Sequence, residues 1–96
     1  MQEETKLSPP IIVCAANRSN VDGLLVLGAR HFDACMRKAI DLSGRKHTEF
    51  VEQGFIDQHC NFYTREEAFE IAENNGQIKR ILGTEHRREL YSENLY

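Results

Sequence analysis

Arg30 and His31 stand where an apolar run, Leu24 to Leu27, breaks at Gly28 and gives way to a helix-forming stretch that begins at Asp33. An arginine and a histidine at such a boundary can grip an anion. The guanidinium offers two parallel hydrogen bonds to a phosphate, and the imidazole adds a donor or a stacking face. The position helps, because glycine permits close backbone approach and the first N–H groups of a helix point outward at the positive end of its dipole. A second boundary of the same kind lies at Thr64-Arg65. Two such N-termini, within one chain or across a dimer, suit a ligand with two phosphates. The plainer reading is a surface ion pair for Arg30 and a hydrogen-bonded loop position for His31.

Aromatic residues near these boundaries could stack on a base: Phe32, Phe55, Tyr63, Tyr91 and Tyr96. Phe55 ranks high because it follows a glycine in a strand, and Tyr96 because it sits on a tail that needs somewhere to go; packing is the competing role for each. Catalysis finds little support. A nucleophile needs a base within reach and the base needs an orienting partner. Cys60 and His59 are neighbours whose side chains would point to opposite strand faces. Cys35 and His31 could meet on a helix turn, with Asp33 or Asp57 orienting the histidine, but no spacing selects that geometry. The expectation is a binding protein, not an enzyme. No Cys-x-x-Cys pair anchors a metal site, and no cofactor is implied.

These residues must be positioned by a small set of elements. Ile11 to Ala16 reads as a strand, and Asn17 to Gly23 as a turn rich in Asn, Asp and Gly. Leu24 to Ala29 reads as a second strand. Both runs are apolar without alternation, the pattern of strands covered on both faces, so a helix or a second subunit should cover the outer side. Asp33 is an N-cap for a helix through about Leu42 that buries Met36 and Ile40 and stops at Ser43-Gly44. Phe50 to Asp57 supplies a third strand, in which Gly54 marks a bulge or a close approach. Phe62-Tyr63 supplies a short fourth. Thr64-Arg65-Glu66-Glu67 is a capping box that opens a second helix, with Ala68, Ile71 and Ala72 as its apolar stripe, Phe69 at the edge and Asn75-Gly76 as its stop. Gln77 to Leu82 reads as a short strand or extended arm. The order strand, strand, helix, strand, strand, helix predicts a small α+β fold: a mostly antiparallel sheet with two helices on one face. Residues 1–9 read as a flexible lead-in and 10–96 as a single ligand-binding domain, with its core between about Pro10 and Leu82 and a C-terminal tail.

Composition narrows the function classes. Ninety-six residues, 41% hydrophobic and 28% charged, suit one globular domain that would gain burial by self-association. A formal charge of −3 argues against broad DNA or RNA binding, which needs a basic face. No stretch reaches the length of a membrane span, and the start MQEETKLSPP lacks the basic and apolar regions of a signal peptide, which predicts a soluble, intracellular chain. Cys14, Cys35 and Cys60 are odd in number and widely spaced, and read as reduced thiols, mostly buried.

GARHFD after an apolar strand, QGFIDQ followed by FYTREEAFEIAENNGQI, and the terminal LYSENLY together resemble the first type of phage Thoeris anti-defence protein, a family of sponges for cyclic ADP-ribose signals. The resemblance implies a homo-oligomer, from dimer to hexamer. It would bind glycocyclic ADP-ribose isomers, and in some members cyclic oligonucleotides, and hold them uncleaved in the cytoplasm of the infected bacterial host. It also implies a pocket between subunits, with Arg30 on pyrophosphate, Phe55 stacking, Thr64 or Arg65 beside the base or phosphate, and Tyr91 and Tyr96 completing the wall; His31 and Asp57 join the ligand-binding set. Sequestration asks for affinity, not a poised acid or base. Three or four charge-assisted hydrogen bonds of about 1.5–3 kcal/mol each, with stacking, reach roughly −12 kcal/mol, or nanomolar binding, after ordering costs. Two other classes compete: a hydrolase of a nucleotide second messenger, and a protein-binding inhibitor of a host factor with Leu90 to Tyr96 as its apolar contact surface.

Overall fold

Four strands and two helices form the framework of the computed structural model, which describes residues 9–83 and 85–95. The lead-in over residues 1–8 and the terminal Tyr96 lie outside the described residues. The elements run β1 (Ile12–Arg18), β2 (Leu25–Gly28), α1 (Ala34–Ser43), β3 (Glu52–Asp57), β4 (Phe62–Thr64) and α2 (Arg65–Asn74). The sheet order is β2-β1-β3-β4 and each neighbouring pair is antiparallel. Since β2 and β3 both run against β1, α1 carries the chain across β1 from one flank to the other. The fold is the expected small α+β type.

Local chemistry explains where the elements start and stop. Asp33 caps α1 by accepting from Met36 N at 2.9 Å, and Gly44 ends it at a φ of 75° that L side chains resist. Thr64 and Glu67 form the capping box of α2. At its far end Gly76 N bonds Glu73 O and Gln77 N bonds Ala72 O, the paired closure of a Schellman stop. Gln77 continues as a clamp: its side chain accepts from Ile12 N and donates to Ile12 O. The arm beyond it is extended and forms no strand.

Register decides which side chains share a face. Ala15 opposes Phe55 and Gly28, and Asn17 opposes Gln53 and Val26, so these six point one way. On that face α2 packs Ala68, Phe69 and Ala72 onto Ile12, Ala15 and Phe55, while α1 sets Met36 and Ile40 against Val26 and Phe50. Phe69 is thus a core residue and Ile71 the half-buried edge, the reverse of the expected stripe. Leu90 and Leu95 complete the first cluster. The core therefore extends past Leu82, and the tail presents no run of exposed leucines. Asn17 donates to Phe50 O at 2.7 Å, which leaves its buried Oδ1 unpartnered among the described residues.

The opposite face is only partly covered. Phe62 lies over Gly54, where a Cβ would come within 2.4 Å of its ring, and the Arg18 guanidinium stacks on Phe62 at 4.3 Å while pairing with Glu52. Leu27 and, at the β1 bulge, Val13 remain exposed within this chain, so no helix of the described residues covers them, and the outer cover that the apolar pattern calls for falls to a second subunit. The cysteines also differ from expectation: Cys35 and Cys60 are exposed, and Cys14 is half-buried.

Candidate functional site

The loop from Ala29 to Asp33 is organised by its own carboxylate. Asp33 Oδ2 accepts from Arg30 N at 3.1 Å while Oδ1 accepts from Met36 N. The carboxylate sits against Gly28, where a Cβ would be 2.6 Å from Oδ1. The hydrogen bond from Met36 N, joined by those from Arg30 and Ala29, holds the Asp33 carboxyl below its usual range despite some burial. Gly28 thus admits a close approach, but the anion that approaches is Asp33. At α2, Thr64 Oγ1 accepts from Glu67 N at 3.3 Å and Glu67 Oε1 accepts from Thr64 N at 2.9 Å. Both helix N-termini expected to hold ligand phosphates carry an internal acceptor, and Thr64 serves as the cap of α2.

The cationic and aromatic side chains converge beside these caps. His31 lies against Gly54 O, with Nε2 at 2.8 Å, which assigns its proton to Nε2 and leaves the Nδ1 lone pair facing Arg65 Nη2 at 3.5 Å. Its ring meets Phe55 edge-on, centroids 5.1 Å apart. Arg65 donates to Leu90 O at 2.6 Å and to Gln53 Oε1, and its guanidinium lies 4.5 Å from the Tyr91 ring centroid. Arg30 reaches the same place from the other side: Nη1 is 3.5 Å from Ser92 Oγ and 4.0 Å from a Glu93 carboxylate oxygen. Residues from the β2–α1 loop, β3, α2 and the C-terminal segment therefore form one lip.

Electrostatics follow from burial. Desolvation pushes the His31 pKa down, reinforced by Arg65 and only partly offset by the Gly54 carbonyl, so the ring is neutral at pH 7. Desolvation also lowers the Arg65 pKa against the opposing pull of Tyr91, Glu89, Glu93 and Glu66. The lip presents a half-buried arginine, a neutral histidine and an aromatic ring, which can take an anion joined to a flat group.

Of the anticipated residues, Arg30, His31, Arg65 and Tyr91 meet here. Phe55 touches His31 but is fully buried, so it offers no ring face to a base. Asp57 lies at the other end of β3, buried, and accepts from His59 N, Asn61 N, Asn61 Nδ2 and Tyr63 OH; it organises the β3–β4 turn. Tyr96 lies outside the described residues. His31 precedes α1, so the helical pairing of His31 with Cys35 is not formed. Gln53, Ser92 and Glu93 were missed. Strand alternation could have revealed Gln53, two residues before Phe55 on the same face; nothing local marks Ser92 or Glu93.

Among the described residues no group of three His, Cys, Asp or Glu side chains could hold a metal ion, and no helix is long and apolar enough to cross a membrane. Three surface cavities of about 230–360 Å³ lie away from the lip, around the C-terminal end of α2. The family model described as Phage T4 y16D protein matches residues 11–96. No curated protein and no solved structure matches the chain.

Proposed function

The chain belongs to the phage T4 y16D protein family, and from that premise we propose that it is a phage anti-defence protein that binds a small cyclic nucleotide signal and holds it uncleaved. The observation that carries the reading is the convergence of Arg30, His31, Arg65 and Tyr91 from three separate segments onto one lip. Arg30, at the rim, takes the phosphate; Arg65, beneath it, fixes Tyr91, whose ring receives the flat part of the ligand. The sequence resemblance to Thoeris anti-defence sponges makes glycocyclic ADP-ribose the first ligand to try. Self-association belongs to the same reading: the exposed Leu27 and Val13 would gain cover from a second copy.

The test is to incubate the protein with glycocyclic ADP-ribose, remove unbound ligand, denature by heat and analyse the released material by mass. Stoichiometric intact ligand supports sequestration. A degraded product points to a hydrolase, and no retention overturns the ligand reading in favour of a protein partner. For that partner the partly exposed sheet face is a better contact than the tail, whose leucines are buried.

A further inference from the structure

The lip already contains a carboxylate. Glu93 Oε2 is 4.0 Å from Arg30 Nη1, and its other oxygen accepts from Ser92 Oγ at 3.4 Å, the hydroxyl that also faces Arg30. The Glu93 charge acts on His31 and Arg65 as well, so one carboxylate lies within electrostatic reach of all three basic residues of the lip. The backbone that carries it is fixed. Leu90 N bonds Arg65 O, Asn94 O accepts from Lys79 N and Arg80 N, Asn94 Nδ2 donates to Arg80 O, and Leu90 and Leu95 are in the core. The Glu93 side chain is about half exposed (54%) and its contact with Arg30 is long. A strap pinned on both sides, with one displaceable acid between the pins, is the arrangement of an internal stand-in for a bound anion.

We propose that Glu93 is the specificity-determining residue of the lip: a built-in counter-anion that occupies Arg30 in the empty protein and must swing aside when a phosphorylated ligand binds. This rests on the reading of the lip as an anion site. Weakly bound anions are held off by the resident carboxylate, and a ligand must bring enough contacts, such as two linked phosphates, to displace it.

The test uses inorganic pyrophosphate as probe, titrated by calorimetry at low salt into the unmodified protein, Glu93→Gln, Arg30→Ala and the double variant, with thermal unfolding to verify folding. Glu93→Gln should bind about fivefold tighter, the scale of a half-exposed ion pair. The double variant should bind no tighter than Arg30→Ala, because the gain acts through Arg30. Unchanged or weaker binding by folded Glu93→Gln overturns the Glu93 assignment alone if Arg30→Ala still loses affinity. An equal gain with and without Arg30 also overturns it, in favour of general charge repulsion. Failure of both the unmodified protein and Glu93→Gln to bind pyrophosphate overturns the anion site together with the counter-anion. Should Glu93→Gln not fold, Glu93→Ala is read by the same outcomes.

Discussion

The Nε2 of His31 donates to the Gly54 carbonyl at 2.8 Å, tying the loop that enters α1 to the glycine of strand β3. The bond needs only a neutral ring, and burial disfavours the charged one. The folded protein therefore holds this histidine at a pKa below 6.5, while the unfolded chain protonates it near that value. The unfolded state binds more protons as the pH falls, so the stabilisation is fully present above about pH 6.5 and is lost progressively below it. The melting temperature should decline as the pH falls from about 6.5, and His31→Gln, which keeps an N–H donor without the titration, should flatten that part of the profile. An unchanged slope would assign the loss to other groups.

Gly54 is required for a second reason. A Cβ there would lie 2.2 Å from Tyr63 O and 2.4 Å from the Phe62 ring. The carbonyl belongs to the paired strand and cannot retreat without breaking the ladder. Gly54→Ala should destabilise by about 3 kcal/mol, seen as a lower urea midpoint with an unchanged slope.

Asp57 has the contacts of a stability residue. Burial opposes its charge, but hydrogen bonds from Asn61, Tyr63 and His59 outweigh it and hold the carboxyl at about 2, against 3.8 for the free side chain. With the folded pKa depressed, its contribution is present above about pH 3.8 and is lost as the pH falls towards about 2. Asp57→Ala strands four donors and should cost about 3 kcal/mol at pH 7, with little change in ligand affinity for the folded fraction. A selective loss of affinity at intact stability would return Asp57 to the binding set.

What the sequence disclosed depended on how local the cause was. Asp33 before Ala34, Thr64 with Glu67, and Asn75-Gly76 state the helix limits through contacts a few residues apart, and the structure has those limits. Arg30, His31 and Arg65 were legible as basic residues at two helix starts, but that the two starts adjoin, with Tyr91 between them, is set by the distant contacts of Arg65 with Leu90 and Tyr91. The errors lie where the deciding contact is distant or competes with a local one. The caps that made the helix starts recognisable also fill them with an acceptor. Gly28 was read as room for a ligand, whereas Asp33 takes that space. Leu27 and Val13 read as covered on both faces, and no helix of the described residues supplies the outer cover, because an apolar run alone does not report which chain the second layer comes from.

Cys60 occupies a backbone conformation that suits glycine. It is exposed, its φ is 67°, and its N–H bonds Asp57 O at 3.1 Å to close the turn. A left-handed residue with a side chain costs roughly 1–2 kcal/mol, of which glycine returns a part as chain entropy. Cys60→Gly should therefore stabilise by about 0.5–1 kcal/mol, raising the melting temperature by several degrees in a domain of this size. A lower melting temperature would mean that the thiol makes a contact worth more than the backbone strain.

Arg30 and Arg65 touch the same segment yet should fail differently. Arg65 donates to Leu90 O and Gln53, accepts the Tyr91 ring on its face, and is half-buried, so its guanidinium holds the C-terminal segment to the sheet. Arg65→Ala leaves a buried carbonyl unpaired and releases Tyr91, and should destabilise by about 2–3 kcal/mol with ligand affinity lost as a consequence. Lysine does not rescue it, since one ammonium cannot span three partners in the plane of a fork. Arg30 has a half-exposed side chain whose contacts to Ser92 and Glu93 are long. Arg30→Ala should change stability by less than about 0.5 kcal/mol while abolishing retention of a phosphorylated ligand. Thermal unfolding beside ligand retention separates the two variants. If Arg30→Ala unfolds the protein as Arg65→Ala does, both arginines are struts; if Arg30→Ala is stable and retains ligand, the phosphate lies elsewhere.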